Sequence, residues 1–196
     1  MRTSSVAIAA GVALAIFTAW ITRQAKALEQ DLDASSQKIA LLDKPAPDFH
    51  LTSIDGRPVS LASYHGKKLV LMFWATWNNG SHPEMLVLGM LYDRLHASSD
   101  FDIVGVAVDD EAAAVKRFAA DSKIAFPLVL DRNRELTNAY GIRSLPTALI
   151  IDSDGKVSYG GVGFARDRQG EFARHLGLQP GAVRMEMMGG PRVRGN

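Results

Sequence analysis

Apolar stretches of strand length alternate with helix-like stretches from residue 68 to residue 177. KLVLMFWA (68–75) and FDIVGVAVD (101–109) are nearly continuous apolar runs, which is typical of strands buried on both faces of a sheet. PEMLVLGMLYDRLHA (83–97) lies between them and places apolar residues at helical spacing, namely Met85, Leu88, Tyr92 and Leu95. This spacing predicts a helix that packs one stripe on the sheet.

The alternation continues to the end of the segment. EAAAVKRFAADS and RDRQGEFARHLG are predicted helices, FPLVLD and TALIID are short strands, and ELTNAYG is a brief helix that ends at Gly141. Upstream, DFHLTSIDGRPVSL predicts a β-hairpin around Asp55 and Gly56. Strands that alternate with helices predict an α/β architecture with a partly parallel central sheet.

The first 22 residues predict a membrane anchor. Residues 4–21 are uncharged and mostly apolar, and a helix of this length spans roughly 27 Å, close to the hydrocarbon thickness of a bilayer. Trp20 lies where an interfacial aromatic residue is expected. The sequence AKA at 25–27 also resembles a signal-peptidase site, so cleavage near Ala27 is the alternative. Both interpretations place the remaining chain on the extracytoplasmic, periplasmic side.

The rest of the chain divides by composition. Residues 23–43 are charged and predict a stalk, and KPAPDF (44–49) interrupts any helix, because a residue before proline prefers extended conformations. A globular domain is therefore predicted over 44–178. Residues 179–196 are rich in Gly, Pro and Arg and predict a disordered tail.

Charge and residue usage exclude several classes of function. The formal net charge is +1, so there is no broad positive field that would bind nucleic acid. The chain has no cysteine, which excludes a disulfide, a thiolate metal site and a cysteine nucleophile. The five histidines show no pair at metal-ligand spacing. Neither a metal nor a cofactor is predicted.

Several separated motifs occur together in a known order. PAPDFHLTSIDGRPVSL, GKKLVLMFWATW, HPEM, FPLVLD, AYGIRSLPTALIIDSDGK and GGVG resemble, in order and spacing, TlpA-like and ResA-like thioredoxin-fold proteins of the redoxin or AhpC/TSA group. The resemblance covers about 44–178. It implies a thioredoxin-like fold, with a mixed central sheet flanked by helices and an N-terminal β-hairpin extension. It also implies kinship with exported or membrane-anchored thiol-disulfide oxidoreductases.

The two cysteines of the family's W-C-x-x-C motif fall on Asn78 and Ser81 in this sequence. An amide cannot act as the nucleophilic thiolate, and a hydroxyl has no redox couple. Dithiol oxidoreductase activity is therefore not expected. Glu84 falls where ResA-like members carry a glutamate that tunes the thiol pair, a role that is void here, and an acidic residue in a first helical turn is also favoured by the helix dipole.

The remaining parts of the family site are present, and the resemblance implies a cis peptide bond at Pro146. The predicted docking site for a protein or peptide comprises Trp74, Trp77, Asn78, Asn79, Gly80, Ser81, Glu84, Leu145 and Pro146. We expect Asn79 or Ser81 to cap the helix. Adjacent helical residues do not face each other, so a Ser81–His82 nucleophile pair is not expected.

Two hypotheses for function stay open. The first is a non-catalytic relative that binds an extended peptide or partner protein outside the cytoplasmic membrane. The second is an enzyme that acts through another group or through a partner's cysteines.

Overall fold

The computed structural model describes residues 18–24, 39–108, 111–163 and 169–179. The chain forms two compact units, Met1–Gln37 and Lys38–Asn196. In the first unit residues 18–24 are helical; most of the predicted anchor and stalk, and almost all of the predicted tail, lie outside the described residues. Within the described ranges, no helix has the length and apolar character needed to cross a membrane.

The second unit is built on one mixed sheet and a separate hairpin. The hairpin consists of β1 (His50–Thr52) and β2 (Pro58–Ser60), which pair antiparallel. The sheet contains β3 (Lys68–Trp74), β4 (Phe101–Val108), β5 (Leu128–Asp131), β6 (Thr147–Ile151) and β7 (Val157–Val162). Its strand order is β5-β4-β3-β6-β7. The first three of these pair in parallel, whereas β6 and β7 are antiparallel to their neighbours. The predicted α/β class and mixed sheet are confirmed.

Four α-helices are described in this unit. They are α1 (Ser81–Leu95), α2 (Ala112–Asp121), α3 (Glu135–Ala139) and α4 (Gln169–Leu176). The stripe predicted on α1 is largely confirmed, since Met85 and Leu88 are fully buried and Tyr92 and Leu95 are partly buried. The brief helix α3 ends before Gly141, whose φ of 65° lies in the left-handed region that glycine adopts without strain.

Both faces of the central strand β3 are covered. Val70, Met72 and Trp74 belong to one apolar cluster, which also contains buried residues of α1, α2 and α4. Leu71 and Phe73 belong to a second cluster, with buried residues of the hairpin and α3. Successive side chains of a strand point to opposite faces, so a single continuous apolar strand supplies both clusters.

Residues before the proline-containing segment KPAPDF (44–49) also pack on the globular unit. Ile39 is buried in the second cluster and lies on β7, where a Cβ added at Gly160 would come within 2.2 Å of Ile39 Cγ1. The Asp43 N–H donates to the Val157 carbonyl at 2.8 Å, and the Val157 N–H donates to the Lys44 carbonyl at 3.0 Å. Ile39 and Asp43, which belong to the segment predicted as a stalk, thus contribute to the core and to the contact with β7.

Candidate functional site

The connection between β3 and α1 consists of residues 75–80, and we call it the corner. Trp74 closes β3 and is fully buried, with its ring centroid 4.8 Å from that of Phe118. Its indole Nε1 has no hydrogen-bond partner among the described residues. Trp77, in contrast, is 59% exposed. Of the two tryptophans predicted for the docking site, only Trp77 presents its ring to a ligand.

Asn78 organises the start of α1. Its Oδ1 accepts hydrogen bonds from the Ser81 N–H at 3.0 Å and from the Ser81 hydroxyl at 3.2 Å. Ser81 is fully buried, and its Oγ accepts a hydrogen bond from the Ala75 N–H at 3.3 Å. The N–H groups of a first helical turn have no intrahelical partner, and here Asn78 supplies one, rather than Asn79 or Ser81 as predicted. We call this set of contacts the Asn78 network.

The loop before β6 lies against the corner. The Leu145–Pro146 peptide bond is cis, in agreement with the resemblance, and Pro146 is buried. The Asn78 Nδ2 group donates a hydrogen bond to the Leu145 carbonyl at 3.3 Å. A Cβ added at Gly80 would lie 3.4 Å from Pro146 Cδ. Residues predicted from two distant motifs are thus brought together, and we refer to residues 144–146 as the proline loop.

The remaining predicted residues border this contact. Asn79 and Gly80 are exposed, and Glu84 is half-buried in the first turn of α1. A Cβ added at Gly163 would lie 3.2 Å from Glu84 Oε1, so this carboxylate packs beside the backbone that follows β7. The Gly163 N–H in turn donates to the Pro146 carbonyl at 3.0 Å. Glu84 is therefore placed at the edge of the proline loop.

Ser81 and His82 do not form a nucleophile–base pair. The His82 Nε2 atom lies 2.8 Å from the Thr76 carbonyl oxygen, and its ring packs on Phe118 at 5.0 Å between centroids. The Ser81 hydroxyl is directed to Asn78 instead. A serine nucleophile needs a general base within hydrogen-bond reach, so the corner lacks the geometry for serine hydrolysis.

The chemistry available at the corner is limited to hydrogen bonding and apolar contact. Neither the amide of Asn78 nor the hydroxyl of Ser81 has a redox couple, and the chain contains no sulfur nucleophile. Within the described part of the chain, no group of three or more His, Cys, Asp or Glu residues could hold a metal ion. The two positions that match the family cysteines therefore cannot carry out thiol-disulfide exchange.

A separate cleft shares no lining residue with the corner. It has a volume of about 630 Å³ and lies between β1 and the start of α3. Its lining includes Asp131, whose carboxylate accepts hydrogen bonds from the Leu136 N–H at 3.1 Å and the Thr137 N–H at 2.7 Å. This buried carboxylate caps α3 through these hydrogen bonds. We therefore assign the cleft no chemistry and regard the corner as the candidate site.

Comparison with known proteins agrees with this geometry. The model of the AhpC/TSA family matches residues 42–160. The thiol-disulfide oxidoreductase ResA of Geobacillus thermodenitrificans is 38% identical over 112 residues, which are 57% of this chain and 64% of that protein. The ResA of Bacillus thuringiensis strain Al Hakam is 32% identical over 130 residues, which are 66% of this chain and 74% of that protein. The chain thus spans slightly less than two thirds of the first relative.

A solved structure gives the same fold. The thiol:disulfide interchange protein of the thioredoxin family from Chlorobium tepidum TLS is 30% identical, with a TM-score of 0.61 over 70% of this chain and 96% of that one.

Proposed function

The chain belongs to the AhpC/TSA family, within its thioredoxin-fold thiol-disulfide oxidoreductase relatives, and from that premise we propose that it is a non-catalytic member which binds an extended peptide or protein segment. The corner and the proline loop form the docking site, with Trp77 as its apolar anchor. Binding replaces the redox chemistry, because the two positions that match the family cysteines are Asn78 and Ser81.

The exposure of Trp77 carries this proposal. Trp77 is the most exposed large apolar side chain among the described residues of the globular unit, and the others, Leu86 and Leu42, are 44% and 39% exposed. Tryptophan is enriched among residues that dominate binding energy at protein interfaces. Single exposed apolar residues are common on protein surfaces, and Trp77 is distinguished by its place in the corner, directly before Asn78, which contacts the proline loop.

The backbone of the proline loop supports the proposal that the ligand is extended, like a β-strand. Within the described residues, no hydrogen bond engages the Leu145 N–H. An extended peptide binds by pairing its main chain with such groups at an exposed edge. We expect the Leu145 N–H to pair with the carbonyl of a bound segment.

We further propose that the domain works outside the cytoplasmic membrane, tethered by residues 4–21. The apolar length of that segment supports the tether. The family kinship with thiol-disulfide oxidoreductases agrees with it.

Photo-crosslinking of the full chain in its native membrane tests the docking site. A photoreactive amino acid at Asn79 is expected to capture a partner, and Trp77→Ala or Pro146→Ala is expected to weaken capture by at least tenfold. Leu42→Ala is the matched control, because it removes another exposed apolar side chain far from the corner in sequence. Unchanged capture after both corner substitutions would count decisively against the proposed docking site.

Insulin-disulfide reduction separates binding from catalysis. The unmodified chain is expected to be inactive, and the double substitution Asn78→Cys, Ser81→Cys is expected to create activity, because the helix start and proline loop are already in place. Activity in the unmodified chain would instead favour an enzyme that uses another group or a partner's cysteines.

A further inference from the structure

The Leu145 carbonyl is already engaged within the protein. Asn78 Nδ2 donates to it at 3.3 Å, while the neighbouring N–H of the same residue has no partner among the described residues. A peptide that adds as a strand normally uses both groups of an edge residue, the N–H as donor and the carbonyl as acceptor. The docking edge is therefore open on its donor side, while on its acceptor side Asn78 engages one of the two lone pairs of the Leu145 carbonyl oxygen.

The Asn78 side chain is also held through its Oδ1 atom. Asn78 Oδ1 accepts from both the Ser81 N–H and the Ser81 hydroxyl, so the amide is fixed in one orientation with Nδ2 directed at the proline loop. A flip of the amide would place an oxygen against the Leu145 carbonyl oxygen and an NH₂ group against the Ser81 N–H, two contacts between like groups. The contact with Leu145 is thus specified by three separate atoms rather than by a chance rotamer.

The contact is also weak enough to be broken by a ligand. At 3.3 Å it is longer than the usual N–H···O distance of about 2.9–3.0 Å. Because Oδ1 and Nδ2 belong to one planar amide, displacement of Nδ2 also shifts the Oδ1 contacts with Ser81. The Ser81 N–H then keeps a second acceptor, the Asn78 backbone carbonyl at 3.0 Å.

We propose that Asn78 is an internal competitor for the docking edge, which lowers the affinity of the corner for extended peptides and selects ligands that displace its amide. This proposal rests on the proposed function and adds a regulatory contact to the same site. A thiol is only a weak hydrogen-bond donor, so a cysteine at this position would compete less. The replacement of the family cysteine thus changes ligand selection as well as redox chemistry.

Binding of a thiol-free extended peptide tests the proposal. The probe is the insulin B chain with both cysteines carboxymethylated, and the protein is the full chain in detergent micelles. Asn78→Ala is expected to bind the probe about 3- to 10-fold more tightly, the gain of one net hydrogen bond. Asn78→Asp, which keeps an acceptor for Ser81 but loses the donor, is expected to change affinity in the same direction. Asn138→Ala, an exposed asparagine of α3, is the matched control and is expected to bind like the unmodified chain.

Hydrogen exchange of the side-chain amides tests the contact without any ligand. The Asn78 NH₂ protons are expected to exchange more slowly than those of Asn138, because one of them is engaged by the Leu145 carbonyl. Equal exchange would overturn the proposal, and so would the absence of tighter probe binding in both Asn78 variants. Neither of these results contradicts the proposed docking site. That proposal is contradicted only if Trp77→Ala and Pro146→Ala leave partner capture unchanged.

Discussion

Substitution of Gly160 by alanine is expected to detach the first residues of the globular unit from the sheet. The added Cβ would lie 2.2 Å from Ile39 Cγ1, 2.8 Å from Ile39 Cβ and 3.1 Å from Leu149 Cδ2. The Ile39 atoms lie close to its own backbone and cannot swing aside as a flexible tip can. Ile39 must therefore leave its buried position, together with part of the segment that follows it.

The size of the effect follows from the burial of Ile39. An isoleucine side chain loses about 1.5–3 kcal/mol when it moves from a core to water. Alanine in place of glycine recovers about 0.4–1 kcal/mol by restricting the unfolded chain. The net loss for Gly160→Ala is therefore about 0.5–2.5 kcal/mol.

Urea denaturation of the full chain, followed by tryptophan fluorescence, which changes when the buried Trp74 becomes exposed, measures this loss. Gly161→Ala is the matched control, because its added Cβ would meet the far end of one long side chain, the Tyr159 hydroxyl at 2.7 Å and Cζ at 3.2 Å, and its cost is expected to be smaller. In an Ile39→Ala background, which removes the 2.2 Å contact, Gly160→Ala is expected to cost less than it does alone. Equal midpoints for Gly160→Ala and the unmodified chain, or strict additivity with Ile39→Ala, would refute the packing argument.

Three further expectations concern stability. Asp131→Ala removes the carboxylate that caps α3 and is expected to cost about 1–2 kcal/mol in thermal unfolding. Burial raises the pKa of Tyr64 to about 12, so its contribution to stability is complete below about pH 10 and is lost as the pH rises through about 12. The free energy of unfolding of Tyr64→Phe, obtained from denaturation curves, should vary less with pH over that range. Hydrogen bonds from Ser53 and then Arg57 lower the pKa of Asp55 to about 2, so its contribution is complete above about pH 4 and is lost as the pH falls through about 2. Asp55→Asn should remove this dependence in acid-unfolding curves.

The elements of the fold were largely predictable because their sequence patterns are local. The apolar run at 68–75 and the stripe at Met85 and Leu88 each predict burial from a pattern only a few residues long. Gly141 indicates the end of α3, because its left-handed backbone conformation is one that other residues adopt only at a cost in free energy. The mixed order of the sheet required the resemblance as well, since periodicity does not reveal which strands pair.

The contacts that define the site depend on residues far apart in sequence. Asn78 and Leu145 are separated by 67 positions, and no local pattern indicates that an amide reaches that carbonyl. The burial of Ile39 against Gly160 is a similar case, because a single isoleucine among charged residues resembles a stalk until its partner is known. The deep burial of Trp74 beside an exposed Trp77 is likewise invisible in a motif where both rings look alike.

The Asn78 network has a consequence for how the domain responds to its surroundings. A corner with two thiols exists in oxidised and reduced forms, whose proportions follow the ambient redox potential. Asn78, Ser81 and Ala75 have a single covalent form, so occupancy of the corner depends only on the concentration and affinity of its ligand. Under the proposed function, binding at the corner is therefore expected to be the same in oxidising and in reducing surroundings.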